Sequence, residues 1–492
     1  MSRAVTRVDR DEVFLEFTRS ICPVCKRVID AEVGAREGRV ILRKRCPEHG
    51  EFEALVYSDA EAYLAQQRLN KPGTLPLALQ TEIHDGCPLD CGICPAHKQH
   101  ACLGIIEVNS ACNLDCPVCF ADSGRQHPDH FSLTRDQVAR MLDVFVEAEG
   151  EPEVIQFSGG EPTIHPEILD FVAMAHERGV RIVMVNTNGI RLARDRAFVR
   201  ELAVLGAHVY LQFDGLEEAT HLAMRGRDLR DVKARALEHC AAEGVSVTLV
   251  AAVERDVNDH EIGAIVRAGV EHPAVNSVVL QPVTHAGRHA RFDPLARLTN
   301  ADVIQAVSRQ LPEWFRPTDF VPVPCCFPTC RSMAYALVDD GRLVPFTRML
   351  DIEDHLDYLS NRVTPDRALR AALEQMFSSS ATPGAERALL ACESCGIDLP
   401  AALRELERKV FMVVAQDFQD AYTLNVRQLM KCCVAEIVPD GRIIPFCAYN
   451  SVGYREQVRA QLTGMEVEPV VPNALELQGV LRPTAHGSRT AS

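Results

Sequence analysis

Asn109-Ser110-Ala111-Cys112-Asn113-Leu114-Asp115-Cys116-Pro117-Val118-Cys119-Phe120 follows directly on the apolar run 105–108 and sets three cysteines in one short loop, with three and then two residues between them. A loop this compact can wrap a cube-shaped iron–sulfur cluster, and three thiolates on four irons leave one iron without a protein ligand. An open iron can take a small molecule, as a catalytic site must, whereas a structural zinc site closes with a fourth ligand. Cys112, Cys116 and Cys119 are therefore expected to hold a [4Fe-4S] cluster with an open iron. The plainer alternative is a structural zinc site short of one ligand.

Outward from this loop the chain has a regular rhythm. Strand-like apolar runs at 105–108, 154–157, 182–185, 209–213, 245–253 and 278–280 alternate with helical patterns at 135–149, 167–178, 196–205, 228–242 and 260–270. Near-continuous Val/Ile/Leu strands separated by helices predict a parallel sheet covered by helices, with sites at the C-terminal strand ends. Three strands end in polar motifs. The first of these is Ser158-Gly159-Gly160-Glu161-Pro162-Thr163, the second Asn186-Thr187-Asn188-Gly189, the third Gln212-Phe213-Asp214-Gly215. Each alone is a common turn signal. In register on successive strand ends, after a three-cysteine loop, they resemble the radical S-adenosylmethionine (SAM) superfamily.

That resemblance implies an α/β fold with a partial (β/α)6 barrel. Ser158, Gly159, Gly160, Glu161 and Pro162 would form the motif for the methionyl amine of SAM: the glycines allow close backbone approach and Glu161 accepts from the ammonium. Asn188, Gln212 and Asp214 cap apolar strands where ribose contacts would fall. The implied chemistry is one-electron cleavage of SAM to a 5′-deoxyadenosyl radical that abstracts hydrogen from an unactivated carbon, with the cofactors carrying the hard step. A reductant such as a ferredoxin or flavodoxin would supply the electron.

Nineteen cysteines in 492 residues exceed what packing needs. Cys87, Cys91, Cys94 and Cys102 fall within sixteen residues, enough to ligate an auxiliary iron–sulfur cluster or a single tetrahedral metal. Cys22, Cys25, Cys46 and His49 have the spacing of a ribbon site for zinc or mononuclear iron, with His49 the doubtful ligand. Downstream come Cys325, Cys326, Cys330, Cys392, Cys395, Cys432, Cys433 and Cys447, enough for one further four-cysteine cluster or two sites in a C-terminal auxiliary-cluster domain. In this region VDDGRLVPF (338–346) is echoed by VPDGRIIPF (438–446), two hairpin patterns with Asp-Gly turns. Cys240, in a helical pattern, reads as a core residue.

The expected organisation is a ribbon with metal sites over 1–102, the barrel over 103–290, a helical connector over 291–320, the auxiliary domain over 321–466 and a tail without periodicity, expected to be disordered, over 467–492. A net charge of −16 argues against an electrostatic grip on nucleic acid. The N-terminal stretch MSRAVTRVDRDEVFLEF carries no apolar signal region and no run is long enough to span a bilayer, so a cytoplasmic chain with reduced thiols is expected.

The N-terminal CPVC and CPEHG elements, the CPLDCGICPAHKQH segment and the C-terminal CC with DGRIIPFCAYN together resemble the archaeal tetraether lipid synthase group, some of whose members have been described as methyltransferases of a hydroxymethyl-dihydropterin. The resemblance implies carbon–carbon bond formation at an unactivated carbon of a lipid-like chain, or methylation of a pterin or similar heterocycle. A peptide-modifying maturase is a third reading, and a zinc-ribbon binding protein without catalysis a fourth. Arg288 and Arg291 are candidates for an anionic head group, or simply a solvated surface.

Overall fold

A computed structural model describes residues 11–124, 130–289, 292–323, 326–339, 342–348 and 409–464; Arg291, Cys325, Cys392, Cys395 and the tail from 467 onwards lie outside them. The ribbon is a four-stranded antiparallel sheet in the order β1 (Val13–Ile21), β2 (Val28–Arg36), β3 (Arg39–Cys46) and β4 (Gly50–Tyr57). Glu37 and Gly38 join β2 to β3 with φ of 52° and 73°, the two-residue hairpin geometry whose twist matches the flanking strands. After the helix Ala60–Gln67, the stretch 68–102 holds no helix or strand and carries the next four cysteines.

The second sheet has twelve strands. Its centre is β5 (Leu103–Asn109), β6 (Val154–Gly159), β7 (Ile182–Thr187), β8 (His208–Gln212), β9 (Val247–Val253) and β10 (Val275–Pro282), parallel and adjacent in chain order. These are the six strands the apolar runs predict. Their outward faces pack on the crossover helices through Phe145, Phe171 and Phe198, all at most 2% exposed. Packing is tight enough that a Cβ on Gly104 of β5 would stand 2.7 Å from Ile437 and 2.9 Å from Ile155. The first crossover helix, Arg135–Glu149, starts on a reciprocal cap: Thr134 Oγ1 accepts from Gln137 N at 3.3 Å and Gln137 Oε1 accepts from Thr134 N at 2.8 Å.

The C-terminal segment extends this sheet at both edges. On one flank β11 (Val321–Pro322), β12 (Arg331–Asp339) and β13 (Arg342–Pro345) join β14 (Lys409–Gln416), which pairs parallel to β10. On the other, β15 (Val434–Ile437) pairs parallel to β5 and antiparallel to β16 (Ile443–Pro445). Eight strands thus run parallel side by side, from β15 through β5–β10 to β14. The two echoed sequences are both hairpins, β12–β13 and β15–β16, set on opposite flanks. Arg331 and Gln416 from one flank and Val434 and Glu436 from the other line the same cavity, so the sheet curls until its edges face each other. Within 291–320 the helix is Asn300–Gln310. No helix among the described residues is long and apolar enough to cross a membrane.

Candidate active site

The cysteine loop leaves the C-terminal end of β5, and the turn after β6 is laid against its start. Gly160 N donates to Asn109 O at 2.8 Å, Glu161 N to Ala111 O at 2.9 Å, and Asn109 Nδ2 to Glu161 O at 3.1 Å. Gly159 has φ 131°, and a Cβ on it would collide with Asn109 O; one on Gly160 would collide with Ala111 O. Only glycine serves at these two positions. Glu161 is 1% exposed, and its carboxylate accepts from Thr163 N (3.1 Å), Thr163 Oγ1 (2.6 Å), Thr187 Oγ1 (2.7 Å) and Asn188 N (2.7 Å). It therefore ties the ends of β6 and β7 together. Three of those bonds fall on Oε1, so Oε2 keeps a free lone pair for a ligand. Asn188 donates Nδ2 to Asn113 Oδ1 of the loop at 2.6 Å.

Ser158, Gly159, Gly160, Glu161, Asn188 and Gln212 all line one cavity with Cys112, Cys116 and Cys119, about 1700 Å³ including its open mouth. Two expected cofactor contacts lie elsewhere. Pro162 is buried and opens the short turn Pro162–Ile164. Asp214, fully buried, grips Arg225 with both oxygens (2.6 and 2.7 Å) and accepts from Ala252 N at 3.1 Å; Arg225, not Asp214, lines the cavity.

Lys233 lies beneath these strand ends, donating Nζ to Asn188 O at 2.7 Å and Gln212 Oε1 at 3.4 Å. Burial brings its ammonium down from the ordinary 10.5 to about 8. Between those values an unfolded lysine holds a proton that the folded one has released, so this group's contribution to stability rises with pH across the window. Relative to Lys233→Met, the wild type is expected to gain about 2–3 kcal/mol between pH 8 and 10.5 in urea unfolding. A difference that does not change with pH would refute this.

Four arginines, none of which sequence motifs single out for this task, hold the cysteine loop by its backbone. Arg225 Nη1 donates to Val118 O (3.1 Å), Arg288 Nε to Cys116 O (2.7 Å), Arg455 Nη1 to Phe120 O (2.7 Å) and Arg459 Nη1 to Ala121 O (2.6 Å). Arg288 also donates to Ser123 O and pairs with Asp122, so it clasps the loop with a side chain that stays 37% exposed. Arg455 and Arg459 sit on the helix Tyr454–Thr463 and are held by Glu107 of β5, at 2.8 and 3.4 Å, to which Tyr449 also donates. Next to Glu107 on the same inner face is Glu436, pushed well above the usual carboxylate range by burial and by the charge of Glu107.

The remaining thiols form three groups. In the ribbon the ligand atoms of Cys22, Cys25, Cys46 and His49 all lie within 4.8 Å of one another, with His49 Nδ1 at 3.5 Å from Cys46 Sγ and 3.7 Å from Cys22 Sγ. This is a tetrahedral donor set that includes the histidine. Cys87, Cys91 and Cys94 line a separate cavity of about 300 Å³ with Asp90 and His97. Cys102, expected to be their fourth partner, does not line that cavity; it belongs to the buried cluster that also holds Cys326 and Cys433, whose Sγ atoms stand 2.6 Å apart. Its neighbour Leu103 donates N–H to Cys433 O at 3.1 Å. Cys432 is hydrogen-bonded to Cys447, and Cys330 lies within electrostatic reach of both. This third group draws Cys326 and Cys330 from one flank of the sheet and Cys432, Cys433 and Cys447 from the other. A readable signal separates Cys102 from the earlier three: CPLDCGIC at 87–94 repeats the spacing and the Leu-Asp of CNLDCPVC at 112–119. Cys240 is a buried core residue, as expected.

The central donor set fits a four-iron cluster and SAM. Among the described residues no fourth cysteine lines the large cavity, and Asn109 Oδ1, under the glycine turn, is buried without a partner. Burial pushes the Cys112 thiol up to about 12 and raises Cys116 too, so both stay protonated until a metal displaces the proton. An iron left open by three thiolates, beside a turn that admits only backbone, is what reductive cleavage of SAM requires, and that chemistry defines the class as a radical SAM enzyme.

The chain belongs to the radical SAM superfamily, which residues 106–268 match; residues 14–58 match the HMPTM N-terminal zinc ribbon domain. It is 32% identical over 488 residues to the 7,8-dihydro-6-hydroxymethylpterin dimethyltransferase of Methanocaldococcus jannaschii, covering 91% of this chain and 95% of that protein. Over 162 residues it is 30% identical to the Fe-coproporphyrin III synthase of Methanosarcina barkeri, covering 33% of this chain and 38% of that one. Among solved structures, SuiB of Streptococcus suis bound to S-adenosylmethionine is similar over 43% of this chain and 47% of its own, at 16% identity and a TM-score of 0.36. Native anSMEcpe with bound AdoMet and a peptide is similar over 43% and 59%, at 19% identity and 0.34. Structural likenesses this distant carry no argument about activity.

Proposed function

We propose that this enzyme forms a carbon–carbon bond at an unactivated carbon of a pterin-class heterocycle, replacing a C–H by a C–CH3 bond: the hydrogen leaves on 5′-deoxyadenosine, the methyl comes from a second SAM that departs as S-adenosylhomocysteine, and two electrons from the reductant balance the exchange. The observation that carries the reading is the position of the cavity. It lies between the loop of Cys112, Cys116 and Cys119 and the third thiol group, whose neighbours Arg331, Val434 and Phe446 form part of its wall. The full-length similarity to a protein named as a pterin dimethyltransferase supports the substrate class.

With cluster and SAM bound, and an electron from a reductant such as a ferredoxin or flavodoxin, the chemistry supplied is cleavage of the SAM carbon–sulfur bond and removal of a substrate hydrogen atom. The chain's own residues place and shield that event. The Gly159-Gly160 turn and Glu161 Oε2 receive the methionyl end of SAM, and Asn188, Gln212 and Arg225 its polar remainder. Leu103, Ile105, Met184 and Val250 keep water from the reacting carbon.

That same apolar band favours a second reading, the joining of lipid-like chains at unactivated carbons. Products separate the two. After anaerobic reconstitution, 6-hydroxymethyl-7,8-dihydropterin with SAM is expected to give a methylated ring and 5′-deoxyadenosine by mass spectrometry. A cross-linked chain with two 5′-deoxyadenosines per product, and an untouched pterin, would replace the first reading by the second.

A further inference from the structure

Glu436 lies on the inner face of β15, level with Ile105 of β5 and Ile444 of β16, and lines the large cavity. It is 2% exposed, and its carboxyl makes no hydrogen bond or ion pair with any of the described residues, Arg455 and Arg459 reaching it only through their charge. Its neighbour Glu107 has a different situation, being engaged by Arg455, Arg459 and Tyr449. A carboxyl taken from water without a partner is costly, so its presence in a cavity wall points to a partner that arrives with the ligand.

The surrounding wall narrows what that partner is. Gln419 Nε2 donates to Thr423 O (3.4 Å) and Asn450 Nδ2 to Phe446 O (2.8 Å), which fixes the other end of each amide as an acceptor. Both acceptors, Gln419 Oε1 and Asn450 Oδ1, are buried without partners in residues that line this cavity. Beside them Phe446 packs against Phe418 and Phe120, with centroids at 4.6 and 5.6 Å. Acceptors set around aromatic rings suit a flat ring system that carries N–H groups on its edge. A saturated chain would leave every one of these groups unsatisfied, and an anionic head group would meet a carboxyl.

We propose that Glu436 contacts the substrate directly, its two oxygens pairing with adjacent hydrogen-bonding groups on one edge of a planar amino-heterocycle. This rests on the pterin-class reading and assigns the residue that reads the ring. The edge of such a ring presents N–H beside N–H or N–H beside C=O, and a carboxyl meets either with two parallel bonds.

The test measures binding of 6-hydroxymethyl-7,8-dihydropterin to the reconstituted enzyme under anaerobic conditions, with iron content and SAM affinity measured on the same samples. Glu436→Leu is expected to weaken the pterin on the order of 10- to 100-fold while iron and SAM affinity stay at wild-type values. Glu436→Gln keeps the shape, guards against misfolding and is expected to weaken the same probe by a smaller factor. Either variant binding the pterin as the wild type does, with iron unchanged, overturns the proposal. So does a fall in SAM affinity that keeps step with the pterin, which would assign Glu436 to SAM. If the wild type itself ignores the pterin, the substrate reading falls and takes this assignment with it.

Discussion

The joint replacement Cys112→Ala, Cys116→Ala and Cys119→Ala is expected to reduce SAM cleavage to the level of a buffer control while leaving the other metal in place. The three thiols are the only ones lining the large cavity among the described residues, so no nearby cysteine can substitute. About four irons per chain should be lost, and the change that SAM causes in the EPR signal of the reduced enzyme should vanish. Zinc should remain, because the ribbon set of Cys22, Cys25, Cys46 and His49 is separate and complete in itself. The chain should still fold, since the loop is held by arginine bonds to its carbonyls and not by its thiols alone. Iron, sulfide and zinc analysis together with 5′-deoxyadenosine quantitation decides the matter, and a variant that still cleaves SAM reductively would sink the assignment of the catalytic loop.

The second large effect concerns stability. Glu107→Leu removes the anion between Arg455, which is buried, and Arg459, whose side chain is 13% exposed. Two guanidiniums would then be left without their counter-charge, and breaking a buried network on one side costs about 3–5 kcal/mol. Burial alone would raise the Glu107 carboxyl, yet the two arginines hold it below its ordinary range. Its contribution is thus present above that range and lost as the pH falls through the depressed value. Denaturant unfolding at neutral pH reads the loss, and Arg455→Met in the same background should recover part of it, because the partners are coupled. A cost under about 1 kcal/mol would mean that the network does not anchor the helix to the barrel.

Local patterns in the chain encode some of this architecture and not the rest. The strands β5 to β10 are readable because a strand buried on both faces is a run of Val, Ile and Leu, and LGIIEVN and VTLVAAV are such runs. The catalytic loop and glycine turn are readable because spacing and residue type alone carry them. The flanking of the sheet by β14 and β15 is not, since neighbours in space here are far apart in the chain and no period records pairing order. For the same reason the arginine clasp is invisible: Arg455 and Arg459 reach carbonyls 335 and 338 residues away. Asp214 was expected at the ribose because polar caps on apolar strands look alike until an arginine claims one of them. Thiol partnership is a third case. Chain proximity groups Cys102 with Cys87, Cys91 and Cys94, while the cavity those three line does not include it.

The opposed flanks of the large sheet have a consequence for biosynthesis. Strands β5 to β10 emerge from the ribosome as a sheet with two raw edges, each a template for another chain. The residues that cover those edges, 409–416 and 434–445, are made after all six of those strands. Until then the nascent chain depends on being kept apart from its neighbours, and a ribosome stalled short of this point releases a sticky fragment rather than a smaller enzyme. Translation through β14 and β15 is thereby coupled to solubility.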